Sequence, residues 1–192
     1  MVFVNKMNRE SANYGKVINQ LQENFGSTVV PLIMPLGEAE EFGGLVDILK
    51  KKAYKFDEDG EVTETIEGIP DEVKDEAEEY RMMLVEALAE SDDELLMKYL
   101  EDEPLTDEEL DSALHVAVKE GSLVPVLSGI ATQCTGTELL MDYIIHALPA
   151  PNELGEVKGF KPGTEDEEVR PISADAPMSA FVIKTIVDPF VG

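Results

Sequence analysis

Val2-Phe3-Val4-Asn5-Lys6-Met7-Asn8 and Val124-Pro125-Val126-Leu127-Ser128-Gly129-Ile130-Ala131 are the two stretches that decide the fold. Each is a short apolar run, read as a buried strand, that delivers the chain into a loop: N-K-x-N in one case, small residues in the other. A strand followed by a polar turn is common, and each signal is weak alone. In open α/β sheets, however, ligands bind beyond the carboxyl ends of strands. Two such ends, separated by a long insertion, would form two walls of one pocket. The fold class is α/β.

Outward from the first strand, Tyr14, Val17, Ile18, Leu21 and Phe25 mark one face of a helix that Gly26 ends. Thr28 to Leu36 is apolar but broken by Pro31 and Pro35, which suits an edge strand. Leu45 to Leu49, Lys52 to Phe56 and Glu61 to Ile66 read as strands, the last two joined by an Asp59-Gly60 turn. Outward from the second stretch, Thr137 is read as the cap of a helix carrying Leu140, Met141, Ile144, Ile145 and Leu148, stopped by Pro149 and Pro151. Residues 150–177, rich in Pro and Gly and holding Glu165-Asp166-Glu167-Glu168, read as a linker, and Met178 to Val187 as a further strand.

Between the two stretches lies an acidic block. Residues 71–120 carry 19 Asp and Glu against Lys74, Arg81, Lys98 and Lys119. The block has helical rather than disorder signals. Asp71 after Pro70 is read as an N-cap, with Val73, Ala77, Tyr80, Leu84, Ala87 and Leu88 at helical spacing. Ser91 to Glu94 and Thr106 to Glu109 have capping-box spacing and open two further helices, on Leu95, Leu96, Tyr99 and Leu100 and on Leu110, Ala113, Leu114, Ala117 and Val118. Gly121 closes the last. Three short amphipathic helices with an acidic outer face result.

Composition narrows the function classes. Of 192 residues, 15 are basic and 41 acidic, for a net charge of −26. So negative a chain lacks the cations that DNA phosphates or an anionic membrane would require. An apolar fraction of 43% supports a core and argues against an acidic disordered protein. A single cysteine, Cys134, excludes an internal disulfide and a four-cysteine metal site. No apolar run approaches the roughly 18 residues of a membrane span, and no signal-peptide pattern opens the chain. A soluble cytoplasmic protein is expected.

The two quoted stretches also carry a resemblance. Asn5-Lys6-Met7-Asn8-Arg9-Glu10 is similar to the guanine-recognition motif N-K-M-D-R-E of elongation factor G, the translational GTPase that drives ribosomal translocation. Val124 to Ala131 resembles that family's strand and loop V-P-V-L-C-G-S-A, its second guanine-contacting element. Between them the family inserts a subdomain. Val29-Val30-Pro31, Pro35-Leu36-Gly37, Gly44 to Asp47, Lys52-Ala53-Tyr54, Asp75 to Arg81, Asp93-Glu94-Leu95, Lys98 to Glu101 and Leu148 to Pro151 match it in order. Phe181 to Gly192, with Asp188-Pro189-Phe190-Val191-Gly192, resembles the opening strand of the next β-barrel domain. The resemblance covers about 1–151 and 178–192 and is specific as a set.

The resemblance implies the C-terminal part of a P-loop GTPase domain with an inserted α+β subdomain, plus the first strand of a following barrel. Residues 1–27 and 121–151 would belong to the GTPase domain, 28–120 to the insert, 152–177 to a linker and 178–192 to the barrel. It implies a base-binding half-pocket of Asn5, Lys6, Asn8, Ser128, Gly129, Ile130 and Ala131, with GTP or GDP as ligand and magnesium in the parent protein. No G-x-x-x-x-G-K-[ST] occurs: the position five before Gly15-Lys16 is Glu10. The switch segments are absent too, so GTP hydrolysis belongs to the parent and no catalytic residue is assigned here. The insert implies a ribosomal partner, the stalk protein of the large subunit, through helices 71–120. Truncation at the Val2 to Val4 strand implies an open edge and self-association.

Two departures fall on the base-reading positions. The family's aspartate is Asn8 here, a residue that is also a good helix N-cap. The family's serine is Ile130, a residue suited to packing, while Ala131, whose N–H would face guanine O6, is kept. Weak or altered base specificity follows. Elsewhere, His115 and His146 read as surface histidines, Cys134 as inert, and Lys50-Lys51-Lys52 as the solvated charges of a turn. Asp92-Asp93 and Glu108-Glu109 suit helix first turns better than a hydrolase dyad. The alternative reading is a self-standing acidic interaction module with a vestigial nucleotide site.

Overall fold

In the computed structural model, which describes residues 1–101, 103–161 and 163–187, the elements follow in the order β1 (Val2–Val4), α1 (Tyr14–Phe25), β2 (Val29–Pro31), β3 (Ile33–Leu36), β4 (Gly44–Asp47), β5 (Lys52–Phe56), β6 (Val62–Glu67), α2 (Lys74–Ala89), α3 (Asp93–Leu100), α4 (Asp107–Glu120), β7 (Val124–Ser128), α5 (Thr137–Ala147), β8 (Glu156–Phe160) and β9 (Glu167–Pro171). The chain divides into two units, Met1–Leu148 and Pro149–Gly192. It is a mixed α/β structure with one parallel and two antiparallel sheets. Among the described residues no helix is long and apolar enough to cross a membrane.

In the first unit, β7 is the central strand of the parallel sheet, with β1 and β2 on its two sides. Pro125 is tolerated in this central position because pairing with β1 begins only at Val126. The apolar stretch expected as one edge strand is two strands in two sheets. Val29–Pro31 pairs with β7, and Ile33–Leu36 forms the edge of the antiparallel meander β3-β4-β5-β6. Both prolines stay on edges, as their missing N–H requires. The switch occurs at Leu32, fully buried, whose N–H donates to Val126 O (2.8 Å) while its carbonyl accepts from Ile48 N (2.9 Å).

Capping follows local competition for backbone groups. Thr106 and Glu109 form the expected reciprocal box at the start of α4, and Gly121 ends it in the left-handed conformation at φ 76°. Three other caps differ from the sequence reading. Asp71 lies in a 3-10 turn, Asp71–Val73, and α2 begins at Lys74. Asp92 caps α3 by accepting from Glu94 N and Leu95 N, while Ser91 donates back to Leu88 O and closes α2 instead. Gly136 precedes α5, and the Thr137 hydroxyl donates to Cys134 O. Only at α3 does a neighbouring side chain take over the orphan N–H groups; α2 and α5 start without a side-chain cap.

The apolar faces also shift in two places. Phe25, expected in the core, is 71% exposed, and α1 buries Tyr14 and Ile18. Helix α5 is apolar nearly all round, so two stripes compete. It buries Leu139, Tyr143 and Ala147, leaving Met141, Ile144 and Ile145 exposed. Tyr143 decides the choice: its hydroxyl donates to Oδ1 and Oδ2 of the fully buried Asp47 on β4 (both 2.9 Å), and the Lys50 N–H adds a third bond to Oδ1. The Lys50 ammonium stands 5.2 Å from the Tyr143 ring centroid, and Lys52 pairs with Glu67, so this turn is not merely solvated charge. His115 Nδ1 lies 3.2 Å from His146 O, across the α4–α5 contact.

In the second unit, β8 and β9 form a hairpin inside the stretch expected as a linker. Residues 178–187, expected as a strand, carry none, since no neighbouring strand supplies its ladder among the described residues. The barrel expectation on residues 188–192 lies outside the described residues.

Burial pushes the Asp47 carboxyl above its usual range despite three hydrogen bonds. The folded state therefore holds this proton more tightly than the unfolded chain, and stability falls as pH rises from the unfolded to the folded pKa. Tyr143→Phe removes the hydroxyl proton that the two carboxylate oxygens share and widens that gap. Urea titrations should show the variant about 2–3 kcal/mol less stable at pH 7, with a smaller deficit near pH 4.

Candidate functional site

Parallel pairing of β1 with β7 places Val4 opposite Ser128, so both strands release their loops at one edge of the sheet. Gly129 N donates to Val4 O (3.1 Å), and Met7 N donates to Gly129 O (3.4 Å). The Asn5 side chain then closes the two loops together: its Oδ1 accepts from Lys6 N (2.7 Å) and from Ala131 N (2.9 Å), the latter 126 residues away. Lys6 adopts φ 68°, a left-handed conformation uncommon outside glycine, held by the Asn5 turn. Buried Met7 anchors the loop from below. Lys6 and Asn8 are exposed.

The second loop is built on close backbone approach. A Cβ on Gly129 would lie 2.4 Å from Thr135 O and 2.8 Å from the Phe3 ring, so this position accepts only glycine. Ile130 is buried and exchanges two backbone hydrogen bonds with Thr135, which fits its reading as a packing residue. Ser128 Oγ, buried at the strand end, has no hydrogen-bond partner.

The structure thus gathers Asn5, Lys6, Ser128, Gly129, Ile130 and Ala131 at one edge. Two features differ from the expectation. The Ala131 N–H, expected to face a base oxygen, is donated to Asn5. Asn8 does not cap α1: Asn13 does, accepting from Lys16 N (2.7 Å), because five residues separate Asn8 from that helix. The sequence reading missed the residues that hold the first loop from the side. Ala39 N donates to Met7 O (2.9 Å), and the Glu38 carboxylate accepts from Tyr14 N. The only available signal was Gly37, whose φ of 76° sets the turn. Cys134, in the left-handed conformation at φ 55°, is exposed. Among the described residues no three His, Cys, Asp or Glu side chains gather as metal ligands.

No protein-family model matches the chain. The crystal structure of a protein from Thermus thermophilus matches 82% of it with 33% sequence identity and a TM-score of 0.71. The chain spans 23% of that protein's length. The likeness is one of fold and covers more than the parallel sheet alone.

Asn5→Ala deletes the side-chain acceptor shared by the two loops. Hydrogen exchange at the Ala131 amide should accelerate about tenfold, with the melting temperature lower by roughly 2–4 °C, the scale of one exposed hydrogen bond in a chain of this size.

Proposed function

We propose that this chain is the base-recognition part of a translational GTPase of the elongation factor G kind, together with its inserted subdomain, and that the parent protein acts on the ribosome in the cytoplasm. The observation that carries this is the Asn5–Ala131 hydrogen bond, which ties an N-K-x-N loop to an S-G-x-A loop across two parallel strands. Asn5 would hold the loops together through the Ala131 N–H, Lys6 would cover the face of the base, and Asn8 would meet its edge. Ser128 and Gly129 shape the loop, and Ile130 packs beneath it. The phosphates and magnesium would be held by a phosphate-binding loop that this sequence does not contain.

Position 8 sets the base. Guanine presents N1–H and N2–H2, two donors, which an aspartate would accept with two oxygens. Asn8 offers one acceptor and one NH2 donor, so one guanine donor faces another donor. Xanthine carries a carbonyl at C2, which the Asn8 amide nitrogen satisfies while its oxygen takes N1–H. Such a mismatch costs on the order of 1–3 kcal/mol, or about one to two decades of affinity. With 15N-labelled chain, xanthosine monophosphate should move the amides of 5–8 and 129–131 at lower concentration than guanosine monophosphate, and Asn8→Asp should reverse the order. Equal shifts with adenosine monophosphate, or none with any nucleotide, would count against base recognition.

The insert supports a basic partner, for which the stalk protein of the large subunit is proposed. Between α1 and α2 runs a groove of about 720 Å³, walled by Glu23, Glu86 and Glu90 over Met83 and Ala87. Acid walls on an apolar floor fit a cationic amphipathic helix. Glu86→Lys with Glu90→Lys should weaken binding of the isolated stalk C-terminal domain about tenfold or more, and binding to the unsubstituted chain should fall as salt rises from 50 to 300 mM, as for charges screened beyond roughly 10 Å. The engagement of the Ala131 N–H by Asn5 favours one second reading, an acidic interaction module with a vestigial nucleotide site, in which this groove alone carries function.

A further inference from the structure

The antiparallel sheet touches both loops of the candidate site, and it does so with the same end. In the meander β3-β4-β5-β6, the β3–β4 and β5–β6 turns emerge at one edge and the β4–β5 turn at the other. The β3–β4 turn meets the first loop: Ala39 N donates to Met7 O, and Glu38 accepts from Tyr14 N, so this turn brackets residues 7–14 at both ends. The β5–β6 turn meets the second loop. Gly60, at φ 83°, comes so close that a Cβ there would lie 2.0 Å from Gln133 O and 2.7 Å from the Cys134 carbonyl carbon. Leu45 on β4 completes the contact, since a Cβ on Gly136 would lie 2.7 Å from its Cδ1.

We infer that the antiparallel sheet is a gauge that sets the spacing of the two loops, with Glu38 and Gly60 as positioning residues for base binding. The inference rests on the proposed function for the ligand, but its geometric part stands without it. Ala39 adopts φ 53°, a conformation costly for a residue with a Cβ, and the turn holds it there while its N–H reaches Met7 O. Across the second contact only a glycine lets the two backbones meet. The far end of the same sheet is gripped by α2, where Arg81 Nη1 donates to Ile48 O and Leu49 O (both 2.8 Å). A partner seated on α2 would therefore press on a sheet whose other end frames the base site.

The test uses the full chain, 15N-labelled, with Glu38→Ala, Glu38→Gln, Gly60→Ala and Gly68→Ala. Gly68 is the control for Gly60: it has φ 88°, so alanine carries the same backbone strain, but a Cβ there meets nothing within 4 Å. Glu38→Ala should speed exchange at the Tyr14 and Ala39 amides about tenfold, and Glu38→Gln, which keeps an oxygen acceptor, should restore it. Gly60→Ala should do the same at Ile130 and Thr135, and Gly68→Ala should not. Amides of α4 serve as the reference for global stability. In titrations with xanthosine monophosphate, Glu38→Ala and Gly60→Ala should raise the half-saturation concentration about tenfold, with Glu38→Gln and Gly68→Ala near the unsubstituted chain. Unchanged exchange in both loops, or exchange rising equally in α4, would overturn the gauge. So would weakened xanthosine monophosphate binding in Gly68→Ala equal to that in Gly60→Ala. Absence of nucleotide binding in the unsubstituted chain, with the loop-specific exchange pattern intact, would overturn the ligand assignment and leave the gauge standing.

Discussion

The peptide unit of Leu32 belongs to two sheets at once. Its N–H completes the pairing of β2 with β7, and its carbonyl continues the pairing of β3 with β4 through Ile48. With the side chain fully buried, neither group has water as an alternative partner, and leaving either unpaired would cost about 1–3 kcal/mol. This one residue therefore fixes the parallel sheet relative to the meander. Everything at the loop edge inherits its position from that junction: β7 carries the second loop, and β3 leads within a few residues to the turn that holds the first.

A second junction stands beside the first, at Asp47 next to Ile48, and is of a different kind. Asp47 is a buried carboxylate, and a buried charge destabilises unless its lone pairs are filled. Tyr143 and the Lys50 backbone fill them, and the Lys50 ammonium lies over the tyrosine ring. The carboxyl nevertheless titrates above its usual range because burial outweighs these bonds. Replacing such a pair by apolar residues is often neutral for stability. What a hydrophobic pair would not supply is direction: the hydroxyl must meet the carboxylate, and this selects which of the two apolar stripes of α5 faces inward.

That selection marks the limit of what the sequence disclosed. The strands around 2–4 and 124–128, the helix beginning near Tyr14 and the Thr106–Glu109 box were legible because each is written in adjacent residues. The α5 face was not, since Leu140, Met141, Ile144, Ile145 and Leu148 have the same spacing as Leu139, Tyr143 and Ala147, and only Asp47, far away in sequence, distinguishes them. The Leu32 switch was hidden for a similar reason: an apolar run with two prolines reads the same whether it lies on one edge or two. The hairpin β8–β9 was obscured by its own acid and glycine content, which resembles a linker's. In the candidate site, the loop residues could be named from the sequence. Glu38, Ala39 and Gly60 could not, because their contacts cross between sheets.

Those contacts answer a mechanical need that the loops themselves leave open. A short parallel ladder fixes the backbone only as far as Val4 and Ser128. Beyond that point each loop is a separate excursion, and the Asn5–Ala131 bond that joins them is exposed, so water competes for both partners and its net worth is about 1 kcal/mol. One such bond alone leaves the loops open roughly 15% of the time at the temperature of the cell, and a base squeezed between them would lose affinity in proportion to the fraction misplaced. Backbone contacts against a sheet edge do not compete with water in the same way, because the sheet is already formed and the meeting surfaces are rigid. The spacing of two loops 126 residues apart is thus carried less by the side chain that visibly links them than by the meander behind them.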